Sequence, residues 1–230
     1  MRTIKKYIDF KNLLILFFVF LLFYYIGLIK IIPIKLLHLN YNDPLIKIIL
    51  TCFSNTILLI ILLLIYKKEL IKEFKIFKKN LTANLDIGIK YWLLGLLIMM
   101  ASNLFLNIIF KAGGAGNEKQ VQEMIKNFSW TMIIIAGIIG PIIEEIIFRK
   151  CFRNTFKNKY LFIVLSGFIF GLLHVTNYLD NPIQLLYIIP YGSLGTCLAI
   201  SYEKTNTIFT PISMHIIHNT ILIMLSTIAL

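Results

Sequence analysis

The sequence predicts an all-α fold, a polytopic membrane helix bundle of about seven transmembrane helices. Of the 230 residues, 58% are hydrophobic, and they gather into long uncharged runs. Apolar residues make up about half of an ordinary soluble domain, so this composition excludes that class. Lysine and arginine stand at the ends of the apolar runs, which favours membrane flanks over a nucleic-acid surface despite the net charge of +12. We therefore expect a lipid bilayer around the chain and no nucleic-acid partner.

Seven runs have the length that a bilayer core requires, about 20 residues in a helix. They lie at about 12–32, 45–66, 87–110, 130–149, 160–178, 183–200 and 207–229. The first run follows Arg2, Lys5, Lys6 and Lys11, as a signal peptide would. Its apolar region is too long for that role and no small-residue cleavage site follows, so we expect an uncleaved first span.

Charge placement predicts that the N-terminus faces the cytoplasm, because short loops rich in lysine and arginine stay on that side. The N-terminal tail, residues 67–80 and the segment after the fourth run hold most of these charges. Residues 69–79 also alternate apolar and charged side chains, which predicts a short amphipathic helix along the cytoplasmic interface.

A polar, glycine-containing stretch divides the predicted chain. We predict N-terminal transmembrane helices over 1–110, a polar connecting loop over 111–129, and C-terminal transmembrane helices over 130–230. The C-terminal group holds nearly all the polar residues inside predicted spans. No internal repeat is evident, which disfavours a transporter built from inverted repeats.

Two adjacent carboxylates, Glu144 and Glu145, stand with Arg149 in the fourth run. The twelve residues before Glu144 carry no charge, and a carboxylate in such a setting is costly and usually functional. Glu145 and Arg149 are four residues apart with the acid first, the favoured order for an intrahelical ion pair. Glu144 is rotated by about 100° and shares a face with Gly137 and Gly140, where another helix can approach. Glu144 is therefore the candidate for chemistry.

Two later runs also present polar groups. In the fifth, Gly167 and Gly171 form a close-packing pair, and His174 extends the same face. In the seventh, His215 and Asn219 are four residues apart and share a face. Polar groups on three separate spans favour a shared site over isolated packing residues.

Other polar residues fit structural roles. His218 is the weaker member of the seventh run because it lies beside Asn219, and His38 belongs to a polar loop. Asn103 and Asn107 suit hydrogen bonding between helices. The Glu145 and Arg149 pair could equally anchor the helix at the membrane edge. Cys52, Cys151 and Cys197 have no CxxC spacing and fit packing roles.

The chemistry that Glu144, His174, His215 and Asn219 suit is hydrolysis. A carboxylate and an imidazole can activate water, while a second imidazole and an amide can stabilise an oxyanion. Glu144, His174 and His215 could instead ligate a divalent metal such as zinc, with one position open for water. The sequence has no HExxH, which excludes a conventional zincin helix, and no GxSxG serine motif.

Three motifs occur in order along these runs: Glu144-Glu145-xxx-Arg149, Phe170-xxx-His174 and His215-xxx-Asn219. They resemble the motifs of the CPBP family, the CAAX proteases and bacteriocin-processing enzymes also called Abi. The resemblance covers about residues 117 to 222, and Asn117-Glu118 is similar to a frequent family feature. Lys150 departs from the glycine that commonly follows the arginine, which bears on local packing.

The resemblance implies an intramembrane endopeptidase, commonly termed a metalloprotease, that cleaves a membrane-associated peptide or protein. By the same resemblance, Glu144 and His174 would activate the attacking water, and His215 and Asn219 would support the oxyanion. Glu145, Arg149 and Phe170 would be orienting or structural. Whether these residues hold a metal or work as a glutamate-dependent acid and base stays open. The richness in lysine and isoleucine favours a bacterial plasma membrane.

Two other functions compete with proteolysis. A non-catalytic membrane protein, such as a bacteriocin-immunity or regulatory partner, could keep the same polar pocket for binding. A proton-coupled transporter could use Glu144 and His174 as a relay, but the missing repeat disfavours it.

The depths of the two candidate groups set a structural expectation. If the fourth helix ended at Arg149, Glu144 would lie about 8 Å from its end and His174 about 21 Å into the fifth helix. We therefore expect the fourth helix to continue past Cys151 to about Asn154, with Glu144 and His174 within about 10 Å of each other.

Overall fold

The computed structural model describes residues 7–178 and 180–228 and confirms the all-α membrane bundle. Within those residues, seven helices are long and apolar enough to span a membrane: α1 (Phe10–Leu36), α2 (Pro44–Lys79), α3 (Leu81–Phe110), α4 (Gly116–Thr155), α5 (Lys159–Tyr178), α6 (Pro182–Thr205) and α7 (Phe209–Ile228). The chain is a multi-pass membrane protein. The inward N-terminus stays a prediction. Arg2, Lys5, Lys6 and the predicted end of the last span at 229 lie outside the described residues.

Local sequence explains several helix ends. Asp9, Asp43 and Asn158 precede α1, α2 and α5, and each side chain accepts a backbone N–H of the first turn. Such caps satisfy donors that a helix start leaves free. Lys111 after α3 and Asn206 after α6 adopt the left-handed conformation, with φ of 48° and 53°. That conformation commonly terminates helices.

Helix α2 continues unbroken from Pro44 to Lys79. The prediction of a separate interfacial helix over residues 69–79 is therefore wrong, because these residues extend the second span. One of their charged side chains, that of Glu73, is buried inside the protein. A buried ionic partner on α4 holds this extension against the bundle.

The stretch 111–129 is mostly helical, so its description as a loop is wrong. Helix α4 begins at Gly116 and carries a kink at Phe128, where φ is −145° and ψ is 43°. The polar residues before the kink form a helical entry to the span after it. The division of the chain into N-terminal and C-terminal groups stays a prediction.

Helix α4 is the longest element, with 40 residues. Two π-helical segments, Ile133–Ile139 and Ile146–Cys151, flank the carboxylate pair. Segments of this kind are frequent at functional sites. The helix reaches Thr155, which confirms the expected continuation past Cys151. Glu144 then lies about 16 Å from the end of α4, against about 22 Å for His174 from the start of α5.

The main hydrophobic core surrounds the second half of α4. Ile143, Ile146, Ile147, Phe148 and Phe152 of α4 are all buried there against side chains of α1, α2, α5 and α6. Half of the most apolar window of α4 is buried, compared with 11% for α1 and α3. Helix α4 is therefore the centre of the bundle, and α1 and α3 expose most of their apolar side chains.

Glycines bring α5 and α6 into close contact. A Cβ atom at Gly171 would lie 2.7 Å from the carbonyl oxygen of Ile188 and 2.8 Å from the backbone nitrogen of Gly192. Gly167 packs against the same helix, next to Thr196. The predicted close-packing pair is confirmed. It fixes the position of His174, which follows Gly171 by one turn.

Candidate active site

A cavity of about 220 Å³ lies inside the bundle, where the motif residues meet. Helices α3 to α7 line it, and its walls include all four residues predicted for chemistry: Glu144, His174, His215 and Asn219. The structure therefore brings together side chains of α4, α5 and α7 that are up to 75 positions apart in the chain.

Glu144 is the carboxylate that opens into this cavity. Its side chain is 25% exposed, and its Oε2 atom lies 3.8 Å from Nε2 of His215. The carboxylate has no hydrogen bond to any residue that the structure describes. It also borders a second cavity, of about 640 Å³, between α2 and α4. Glu144 is thus a partly solvated carboxylate held inside the protein.

Glu145 points away from the cavity into a buried charge cluster. Its Oε2 atom lies 3.1 Å from Nε of Arg149, and both side chains are fully buried. The predicted intrahelical ion pair is therefore confirmed. The contact misses hydrogen-bond geometry, so it is a close charge pair and not an aligned bond. Arg149 also donates from Nη2 to the carbonyl oxygen of Gly195, at 3.1 Å.

The second oxygen of Glu145 makes a contact that the sequence did not predict. Oε1 lies 2.8 Å from Nδ1 of His215 on α7. Because the carboxylate accepts, the imidazole donates from Nδ1, and its Nε2 is left to face Glu144. Glu145 therefore joins the arginine of its own helix to a histidine of another.

His174 is oriented by its own helix and by two aromatic rings. Its Nδ1 lies 2.8 Å from the carbonyl oxygen of Phe170. A carbonyl can only accept, so Nδ1 carries the proton and Nε2 is left as an acceptor. The ring stacks on Tyr191 at 4.7 Å and contacts the ring of Phe170 at 4.4 Å. The imidazole thus presents a basic nitrogen in a fixed orientation.

The ring of Phe170 packs against three side chains of the site. Its ring centroid lies 5.8 Å from that of His215 and 4.7 Å from the guanidinium carbon of Arg149. One side chain thus contacts His174, His215 and Arg149. These contacts fit the orienting role that the resemblance implies for Phe170.

Asn219 and His218 complete the α7 side of the cavity. Asn219 donates from Nδ2 to the carbonyl oxygen of Ala136, at 2.8 Å, within the first π-helical segment of α4. One amide hydrogen remains free of that bond. His218, also a lining residue, accepts at Nδ1 from the indole nitrogen of Trp92, at 3.4 Å. Sequence spacing gave no sign of this contact with α3.

Lys150 forms a second charge cluster, on the side of α4 that faces α2, in which Lys150 and Glu73 are buried and Glu69 is about half exposed. Its Nζ lies 2.6 Å from Glu73 and 2.5 Å from Glu69, both on α2. The hydroxyl of Tyr202 also donates to Glu73, at 3.0 Å. Position 150, where the family commonly has glycine, thus holds a lysine that pairs with two acids of a neighbouring helix. Glu69 and Glu73, four residues apart, were a signal that could have indicated a shared face.

Glu144, His174 and His215 are the residues that the sequence offers as ligands of a divalent metal. Among residues 7–178 and 180–228, no three His, Cys, Asp or Glu side chains converge closely enough to hold an ion. The set of Glu144, His174 and His215 lines one cavity without forming such a cluster. A metal at this site stays a prediction, and the chemistry below is written for the side chains themselves.

Comparisons with known proteins include a match to the C-terminal part of the chain, which carries the three motifs. Residues 126–221 match the family described as Rce1-like, "Type II CAAX prenyl endopeptidase Rce1-like". The chain is 27% identical over 148 residues to "Putative membrane peptidase YdiL" of Bacillus subtilis (strain 168). That alignment covers 57% of each chain, so the chain spans little more than half the length of this relative. No solved structure matches the chain.

Proposed function

We propose that this chain is an intramembrane endopeptidase. The motifs resemble those of the CAAX protease and bacteriocin-processing family, and the matches above support that resemblance. The substrate would be a peptide bond in a membrane-associated peptide or protein, cleaved in a bacterial plasma membrane. The observation that carries the proposal is Glu144, a partly exposed carboxylate without a hydrogen-bonding partner among the described residues, inside a cavity lined by imidazoles. Such a group is costly inside a membrane protein, and a cost of this kind usually marks a functional site.

The first step is attack by water. A water molecule between Glu144 and Nε2 of His174 loses a proton to the carboxylate as its oxygen bonds to the carbonyl carbon of the substrate. His174 accepts the second hydrogen bond of that water and aims it. A new C–O bond forms, and the carbonyl electrons move to the oxygen as an oxyanion.

The oxyanion faces the α7 side of the cavity. His215 donates to it from Nε2, which requires a protonated ring, and the carboxylate of Glu145 on Nδ1 stabilises that imidazolium. The remaining amide hydrogen of Asn219 adds a second donor. The intermediate then collapses, the C–N bond breaks, and the proton held by Glu144 passes to the leaving nitrogen. The products are a carboxylic acid and an amine, and Glu144 is again ionised.

A cleavage assay with a matched acid tests this proposal. The full-length protein in proteoliposomes is given a synthetic library of lysine-flanked apolar peptides, and new termini are counted by mass spectrometry. Glu144→Gln should lower cleavage by at least about 100-fold, the scale of a lost general base. Glu123→Gln, at an exposed acid of the same helix, should cleave as the wild type does. Equal cleavage by the wild type and Glu144→Gln overturns the proposal and favours a binding function for the pocket.

A further inference from the structure

A third imidazole lines the cavity and has no part in the reaction above. His218 stands one helical turn after His215 on α7, and its side chain is buried with 6% exposure. A buried histidine of this kind usually completes its hydrogen bonds with protein groups. His218 makes one of its two possible hydrogen bonds, through Nδ1, to a residue that the structure describes.

Trp92 fixes which nitrogen of His218 carries the proton. The indole nitrogen of Trp92 can only donate, so Nδ1 of His218 must accept the 3.4 Å bond. The neutral ring then holds its proton on Nε2. Trp92 lies on α3, and its side chain packs against the apolar cluster formed by Leu194, Leu198 and Met214. The tautomer is therefore set by a residue that the surrounding helices hold in place.

The Nε2–H group of His218 is a donor without a protein acceptor. Nε2 makes no hydrogen bond to any residue within 7–178 and 180–228, and it is absent from the buried atoms that lack a partner. It therefore reaches accessible space, and the ring lines the cavity. The neighbouring donors are partly engaged, because Asn219 bonds Ala136 and His215 bonds Glu145.

We propose that His218 donates its Nε2–H to the substrate carbonyl oxygen as that oxygen becomes an oxyanion, with Trp92 as the positioning residue. The inference rests on the proposed endopeptidase function. His218 needs no second proton to donate, whereas His215 does. The proton stays on Nε2 throughout, so no bond of the imidazole forms or breaks.

Three variants separate a donor from a packing residue in the proteoliposome assay with the lysine-flanked peptides. His218→Phe keeps an aromatic ring without a donor and should lower kcat by about 100- to 1000-fold, with KM changed less than about threefold. His218→Gln places an amide donor near the position of Nε2 and should keep kcat within about tenfold of the wild type. A His218→Phe enzyme with wild-type kcat, or equal losses in both variants, overturns the inference.

Trp92→Phe tests the positioning role through non-additivity. It should lower kcat in the wild-type background, because the neutral ring can then place its proton on either nitrogen. In the His218→Gln background it should change nothing. Equal losses in the two backgrounds would make Trp92 a structural residue only.

A spectroscopic measurement needs no substrate. The full-length protein, labelled with ¹⁵N at its four histidines, should show a neutral Nε2–H ring whose signals disappear in His218→Gln and become a tautomer mixture in Trp92→Phe. A wild-type Nδ1–H ring at His218 overturns the inference. The two proposals also fail separately: undiminished cleavage by Glu144→Gln removes the endopeptidase function, whereas undiminished cleavage by His218→Phe alone removes only this one.

Discussion

Two charge clusters on α4 are built from neighbouring residues but differ in how fully their charged groups are hydrogen-bonded. In the cluster on the α2 side, Lys150 bonds Glu73, and the other oxygen of Glu73 accepts the backbone N–H of Ile208 at 2.7 Å. In the cluster on the α7 side, Nη1 of Arg149 lacks a partner and Glu144 makes no hydrogen bond, as far as the described residues show.

On the proposed function, the difference separates structural charge from charge kept for chemistry. Buried polar groups in native proteins are normally satisfied, and each exception needs a reason. The Lys150 cluster uses its groups to join α2 to α4. The Glu145 cluster uses its groups to orient His215 and leaves Glu144 open to the cavity. The comparison predicts stability losses on one side and activity losses on the other.

Breaking the structural cluster should have the largest effect. Lys150→Met leaves Glu73 without its cation in a buried site, and removal of one partner from such a pair costs about 3–5 kcal/mol. Thermal or denaturant unfolding in mild detergent measures the loss. The folded fraction should cleave at the wild-type rate per molecule.

Lys157→Met is the matched control for that variant. Lys157 lies 3.8 Å from Asp9 in an exposed pair, with 52% of the lysine side chain accessible. Exposed pairs are worth about 0–1 kcal/mol, so stability should hardly change. Similar losses at positions 150 and 157 would contradict the structural role of the buried cluster.

Glu145→Gln should disturb the other cluster. The substitution keeps the size of the side chain but removes the charge that faces His215 and Arg149. A hydrogen bond to a charged group is worth about 1.5–3 kcal/mol, so kcat should fall about 10- to 100-fold, with a loss of stability because Arg149 stays buried. Steady-state cleavage and thermal unfolding report the two effects.

The double variant Glu145→Gln with Arg149→Met separates the two roles of Glu145. Removing the unpaired guanidinium should recover stability, since no buried charge is left uncompensated. Cleavage should stay low because His215 still lacks its carboxylate. Recovery of activity together with stability would show that Glu145 matters only for folding.

The α5–α6 contact should show a smaller effect. At Gly171 an added methyl group would meet backbone atoms of α6, and overpacking of this kind costs about 1–3 kcal/mol. Gly171→Ala should therefore lower the unfolding temperature and also reduce cleavage, since His174 follows by one turn. Gly27→Ala is the control, because nothing lies within 4 Å of a Cβ there. Equal stability in the two variants would contradict the close approach.

Metal removal should have the smallest effect. The described residues bring no three metal-binding side chains together, so dialysis against a strong chelator should leave cleavage in proteoliposomes within about twofold of the untreated rate, well below the change expected for a lost metal ligand. Metal analysis of the same sample provides the control. A loss of activity that added zinc restores would show that Glu144, His174 and His215 converge on an ion.

Sequence periodicity was sufficient for the spans and for contacts within one helix. The apolar runs located all seven helices, and the four-residue spacing identified the Glu145 and Arg149 pair. Helix geometry also required α4 to continue past Cys151, as it does. These features follow from local rules that need no knowledge of the neighbouring helices.

Contacts between helices could not be read from spacing. The bond from Glu145 to His215, the pairing of Lys150 with Glu73 and the bond from Trp92 to His218 each join residues of different helices. Periodicity defines the face on which a residue lies but not which helix packs on that face. The family resemblance placed the motif helices in one site, but Lys150 and His218 needed the structure.

The decisive measurement is the unfolding free energy of Glu144→Gln beside its cleavage rate. A carboxylate that is kept inside the membrane for chemistry lowers the free energy of unfolding. We predict that the variant loses cleavage and unfolds at the wild-type free energy or above it. A variant that unfolds more easily and still cleaves would make Glu144 a structural residue and would contradict its role as the general base.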